Sequence, residues 1–166
     1  MTDAAAVNTK KAAYFNIPSE DDYGFAQAIK VGSVIYVSGQ FSHDRDGRMV
    51  ASAPVDETGR PTSFLVMGAQ MRVAYANAIS ILERFGAALQ NVVEETLYVI
   101  DVDAAFLVAG EVRKDAYGNE RPHCASTLIG VSRLFFPEQL VAISLKAVLP
   151  DREQGAMSGV PQPPCK

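Results

Sequence analysis

The sequence predicts an α+β domain in which one mixed β-sheet is covered on a single face by two helices. Three observations carry this prediction. Two apolar, β-rich runs, Phe25–Val31 and Val34–Ser38, flank Gly32-Ser33 near the start of the chain. A stripe of helical period runs through the middle, and two further β-rich runs, Thr127–Leu134 and Leu140–Leu149, close it. Helices separated by groups of strands, with a hairpin at each end, build one sheet with its helices on one side.

Gly32-Ser33 suits a two-residue type II′ turn, because glycine alone takes its first position without steric cost. Gln40–Pro61 is rich in Asp, Gly, Ser and Pro and reads as a long connection, with a turn at Asp44–Gly47 and a short strand near Met49–Ala51. His43-Asp44-Arg45-Asp46-Gly47 lacks the further oxygen ligands and distal glutamate of a calcium loop, so it is read as a turn.

Thr62–Phe85 is the first helix: Met67, Met71, Ala74, Ala78, Ile81 and Phe85 fall on one stripe. Thr62 or Ser63 is expected to cap it, and Arg84 with Gly86 to stop it. Val92–Asp101 follows as a strand. Asp103 is expected to cap a second helix, about Ala104–Tyr117, with Phe106, Gly110 and Ala116/Tyr117 on its inner face and Gly118 at its end. A Phe-Phe-Pro-Glu turn separates the closing strands. The strands carry apolar residues on both sides, so the face away from the helices is expected to meet another subunit.

Composition narrows the function. The 166 residues fit one domain, with the folded part at 12–150 between a frayed leader, Met1–Lys11, and a Pro/Gly-rich mobile tail, Asp151–Lys166; no internal repeat is visible. The net charge is −4 and the longest basic cluster is Lys10-Lys11, so a nucleic-acid partner is not expected. No apolar run of membrane-spanning length and no secretory signal is found. Two cysteines, Cys124 and Cys165, are too few for a disulfide framework or a thiolate zinc site, and a reducing, cytoplasmic setting is expected. No metal spacing, phosphate loop or nucleophile elbow is present, and no metal or cofactor is assigned. Cys124 adjoins His123, but neighbours on an extended segment point to opposite faces, so the pair is not read as nucleophile and base.

The ordered set of Phe25–Gly32 with Val34–Gln40, then Val92–Asp101, then Ser126–Leu134 with Phe136–Val141 and Ala147-Val148 resembles the Rid (YjgF-type) family. The match spans about Tyr23–Pro150. The resemblance implies a chorismate-mutase-like subunit assembling as a homotrimer, its sheets packed into a central barrel and a small-molecule cleft at each subunit boundary. It implies hydrolysis of enamines and imines to ammonia and a keto acid; the family also carries the labels translation inhibitor and endoribonuclease.

The deaminases of the family grip a substrate carboxylate with an arginine on the first closing strand. Counting back from Arg133-Leu134 puts Ser126 at that position, and Leu128 where some members have cysteine. Counting from Pro122 puts Cys124 and Ser126 there instead, with Arg121 in the loop before. The glutamate that handles water on the last strand corresponds to Ala142, and the hydroxylated tyrosine of the hairpin to Phe25. Ser38-Gly39-Gln40 matches, so Gly39 is retained as a main-chain contact. The expected site is therefore Ser126 and Gly39 as candidates for catalysis, with Phe25, Gly39, Gly110, Ser126, Leu128 and Ala142 binding substrate. Losing a charged, two-pronged partner costs about 1.5–3 kcal/mol of recognition. Three functions stay open: a Rid-type hydrolase or deaminase of altered specificity on an enamine, imine or related metabolite, a non-catalytic metabolite-binding trimer, and an endoribonuclease.

Overall fold

Six strands form one mixed sheet in the order β1-β2-β3-β6-β4-β5, in a computed structural model that describes residues 9–150. The leader before residue 9 and the tail after 150 lie outside the described residues. The strands are β1 (Lys11–Ala13), β2 (Ala28–Val31), β3 (Val34–Gln40), β4 (Val92–Val99), β5 (Ala125–Gly130) and β6 (Val141–Val148). Three helices accompany them: α1 (Pro18–Tyr23), α2 (Met67–Glu83) and α3 (Val102–Tyr117), with a 3₁₀ turn at Leu89–Asn91.

The opening hairpin follows the expected geometry. Val31 pairs with Val34, Gly32 has φ +59° and Ser33 is not left-handed, which is the type II′ arrangement. Two elements escaped the sequence reading. Lys11 belongs to β1 and pairs with Lys30, so the leader is shorter than expected. Helix α1 has Pro18 in its first turn and ends at Gly24, φ +76°. Its buried Glu20 turns back to accept the backbone N–H groups of Phe15 (2.7 Å), Asn16 (2.8 Å) and Ile17 (3.3 Å).

On α2 the stripe is as expected: Met67, Met71, Ala74, Ala78 and Ile81 are buried, while Phe85 packs on the core just beyond the helix end. The start is not. Thr62 is tied to Pro54 by its N–H (2.8 Å), and Ser63 is held in a turn where its hydroxyl accepts the N–H of Leu65 (3.4 Å). The helix therefore begins later and has no side-chain cap. The cap of α3 is Asp101, which accepts the N–H of Ala104 at 2.7 Å, rather than Asp103. Its inner face is Ala105, Ala109, Val112 and Tyr117; Phe106 is 79% exposed and Gly110 lies on the outer face with it.

The closing strands do not form a hairpin. β6 inserts between β3 and β4, antiparallel to both, whereas β5 runs parallel to β4 at the sheet edge after the α3 crossover. The Val131–Leu140 segment between them thus crosses the end of β4. Gln70, buried in the apolar stripe of α2, holds that segment: Nε2 donates to the carbonyls of Ala51 (2.9 Å) and Glu138 (2.8 Å), and Oε1 accepts the N–H of Leu140 (2.8 Å).

The long connection contains one motif twice, Asp44-x-x-Gly47-Arg48 and Asp56-x-x-Gly59-Arg60. Each Asp N–H bonds the Arg carbonyl at 2.9 Å, and each Asp Oδ1 accepts the N–H groups two and four residues on. These bonds, with the Thr58 hydroxyl on Asp56, hold both carboxyls below the usual carboxylate range. The strand expected near Met49–Ala51 is a single bridge, His43 to Met49.

Candidate functional site

A cavity of about 310 Å³ opens where α1, the end of β3, β6 and the Val131–Leu140 segment converge. Its floor is Gly39 and Ala142. The β3–β6 register shifts between Val37 and Gln40, a bulge that takes one residue out of the ladder at Ser38-Gly39 and leaves main chain facing the cavity. Its walls are aromatic: Tyr23 meets Phe25 at 5.9 Å and Phe135 at 6.0 Å between ring centroids, both edge to face. Phe41 and Leu134 complete them.

The polar lining is sparse, and most of it is occupied. The Ser38 hydroxyl donates to the Ala26 carbonyl at 2.8 Å. Gln139 donates to the Val141 carbonyl at 3.0 Å and accepts the Phe136 N–H at 3.3 Å. The Ser19 hydroxyl is buried at the wall with no partner among the described residues. Among the described residues, no Asp, Glu, His, Lys or Arg side chain lines the cavity.

Phe25, Gly39 and Ala142 of the expected set therefore come together here. The other three do not. Gly110 lies on the outer face of α3 and is absent from this lining. Ser126 and Leu128 are absent from this lining, because the period-two alternation of β5 turns them to the opposite side of the sheet. β5 pairs Ser126 with Glu95 and Leu128 with Leu97. Glu95 is bonded to Tyr75 of α2 and Tyr117 of α3, so this is the face beneath the helices, and Leu128 packs on the core there. Cys124 belongs to the same side, its sulfur 3.3 Å from the Tyr117 hydroxyl. The residues that both sequence registers name, Cys124, Ser126 and Leu128, thus lie on the side of β5 beneath the helices, away from Ala142. On the face shared with Ala142, β5 presents Ala125, Thr127 and Ile129, none of them an arginine.

The charges of this region sit under the sheet. The Glu95 side chain is fully buried and pairs with Arg113 through Nε; its other oxygen accepts the hydroxyls of Tyr75 (3.0 Å) and Tyr117 (2.9 Å). Arg113 also reaches the Cys124 sulfur at 3.6 Å. Burial, reinforced for Tyr117 by the Cys124 contact and for both by the Glu95 charge, pushes the two phenols well above the usual tyrosine range. This network joins β4 to α2, α3 and the start of β5. Its signal in the sequence is a glutamate, Glu95, at the alternating position between Val93 and Leu97 of an apolar strand.

A second cavity, of about 230 Å³, lies on the other side of Leu134, between the Asp56–Arg60 turn and the Val131–Leu140 segment. Arg60 and Arg133 line it, with Thr58, Ser132 and Pro137.

The family model described as Endoribonuclease L-PSP matches residues 19–149. A RutC family protein of Pyrococcus abyssi is 32% identical over 110 residues, covering 66% of this chain and 75% of that protein. A solved YjgF/YER057c/UK114 family member from Mycobacterium tuberculosis has a TM-score of 0.65 at 24% identity, covering 85% of this chain and all of that one. RidA from an Antarctic Psychrobacter has a TM-score of 0.60 at 25% identity, covering 75% of this chain and 88% of that one.

Proposed function

The chain belongs to the endoribonuclease L-PSP family, the Rid/YjgF group, and from that premise we propose that it works as a homotrimer holding a small molecule with an apolar, aromatic body in each subunit-boundary cleft. The aromatic cavity over Gly39 and Ala142 carries this reading. Edge-to-face rings and aliphatic walls favour burial of an apolar ligand at roughly 25 cal/mol per Å². The trimer is supported by the sheet face away from the helices, where Tyr36 is 50% and Ile129 40% exposed without a covering element among the described residues.

The cavity is poorly built for the family's usual hydrolysis. There, water adds to the carbon of the C=N bond, a base takes its proton, and the resulting carbinolamine expels ammonia. Among the described residues no carboxylate or imidazole lines this cavity to take that proton, and Ala142 lies at the position that the resemblance gives to the glutamate. Hydrolysis of small amino-acid imines by the arginine–glutamate route is therefore not proposed. A hydrolase of altered specificity is the second reading, favoured by the Ser19 hydroxyl, a buried polar group free to hold a water or a ligand atom. Nuclease action gains no support from the overall charge of −4, which opposes binding to a polyphosphate chain.

The test pairs two measurements on the full chain. Light scattering should give three times the 17.8 kDa chain mass. Ligand-observed NMR with aromatic probes should show saturable binding that Phe25→Ala and Phe135→Ala weaken. A stable monomer, or ammonia release from 2-iminopropanoate at the rate of an active family deaminase, would overturn the reading.

A further inference from the structure

We infer that Arg60 and Arg133 form an anion-binding subsite contiguous with the aromatic cavity, so that the ligand is an aromatic acid: a ring system over Gly39 with a carboxylate reaching the two guanidinium groups. This deepens the reading proposed above and rests on it.

Both arginines line the 230 Å³ cavity, and Leu134 is a wall of this cavity and of the aromatic one. The loop that supplies Leu134 and Phe135 to the apolar side also supplies Ser132 and Arg133 to the charged side, so a single segment spans both. Neither Arg60 nor Arg133 is within ion-pair distance of a carboxylate among the described residues, although the chain carries more acidic than basic groups. Asp56, four residues before Arg60, is turned into its own loop, accepting Thr58 N–H (2.8 Å), Thr58 Oγ1 (2.7 Å) and Arg60 N–H (3.0 Å). That same Asp-x-x-Gly-Arg turn fixes the backbone from which Arg60 projects.

Two guanidinium groups lining one cavity both offer charge-assisted hydrogen bonds to an anion placed between them. A carboxylate suits the planar fork of arginine, and the adjoining apolar wall selects acids with a hydrophobic body. The cation that this chain lacks on β5 is thus supplied from two loops instead.

The experiment titrates the full-length protein by calorimetry with benzoate, phenylacetate, 3-phenylpropanoate and 4-phenylbutanoate, each beside its uncharged amide. At the chain length that spans Leu134 the acid should bind about tenfold or more tightly than the amide, because charged hydrogen bonds exceed neutral ones. Its advantage should shrink with added salt. Arg60→Gln with Arg133→Gln should erase the difference and leave amide binding intact; Arg45→Gln, in the other turn, should change neither. Acid and amide binding equally at every length would overturn the subsite while sparing the aromatic pocket. Absence of binding by both classes would overturn the pocket reading and the subsite with it. Circular dichroism of the double variant, whose changed side chains are exposed, establishes that any loss is not unfolding.

Discussion

Gly39 and Ala142 face each other across the β3–β6 pair, so closely that a β-carbon built on Gly39 would lie 3.5 Å from that of Ala142. This is ordinary contact distance, and Gly39 is not left-handed, so the glycine is not required by the backbone. What it preserves is space. Gly39→Ala should change stability by less than about 1 kcal/mol, within the range of tolerated substitutions. Gly39→Val should leave the melting temperature nearly as high while abolishing saturable binding of aromatic probes. Wild-type affinity in Gly39→Val would remove Gly39 from the site.

The alternation of β5 makes a second prediction. Ser126→Arg combined with Ala142→Glu should produce no gain in imine hydrolysis, because residue 126 faces the helices beside Glu95. Thr127→Arg or Ala125→Arg with the same Ala142→Glu should raise ammonia release from 2-iminopropanoate by tenfold or more, roughly the yield of a charged, two-pronged contact. A gain at 126 and none at 125 or 127 would show the strand in the other register.

If the outward sheet face is the trimer interface, Ile129→Glu should dissociate it. Ile129 lies there beside Tyr98 at 40% exposure, so a carboxylate is tolerated by the isolated chain but buried unpaired in the assembly. Sedimentation should show a folded monomer, with probe binding lost if the cleft needs two subunits.

The buried phenols give a pH dependence. Tyr75 and Tyr117 keep their protons in the folded state where unfolded tyrosines ionise near pH 10, so the native chain binds more protons there. Their contribution is fully present below pH 10 and falls as pH rises above it, by about 1.4 kcal/mol per pH unit for each group. Urea unfolding at several alkaline pH values should show this slope, made shallower by Tyr75→Phe. Glu95→Ala should cost about 3–5 kcal/mol, because it strands Arg113 under the sheet.

Asp101→Ala should destabilise by about 1 kcal/mol through loss of the α3 cap, and Asp103→Ala by a few tenths at most. Chemical denaturation of the two variants distinguishes them directly.

Much of the fold was legible because periodicity reports burial. The α2 stripe, the Gly32-Ser33 hairpin and the stop at Gly118 all follow from local backbone and solvent preferences. The misses share a cause. Thr62 and Ser63 looked like caps until the Val55–Pro61 bridge claimed that segment, and Phe106 looked inward until the placement of α3 turned Ala105 and Ala109 to the core. The turn at Asp56 repeats the one at Asp44 through the shared Asp-x-x-Gly-Arg spacing, a local signal present in the sequence of the long connection.

The sequence by itself determined the family and the element types, since these depend on residue identity and order alone. Which residues of β5 lie beneath the helices, and that Arg60 and Arg133 line one cavity, was decided only in the tertiary structure. Strand parity flips with a one-residue shift that leaves composition untouched, and two loops far apart in the chain are brought together only when β6 inserts between β3 and β4.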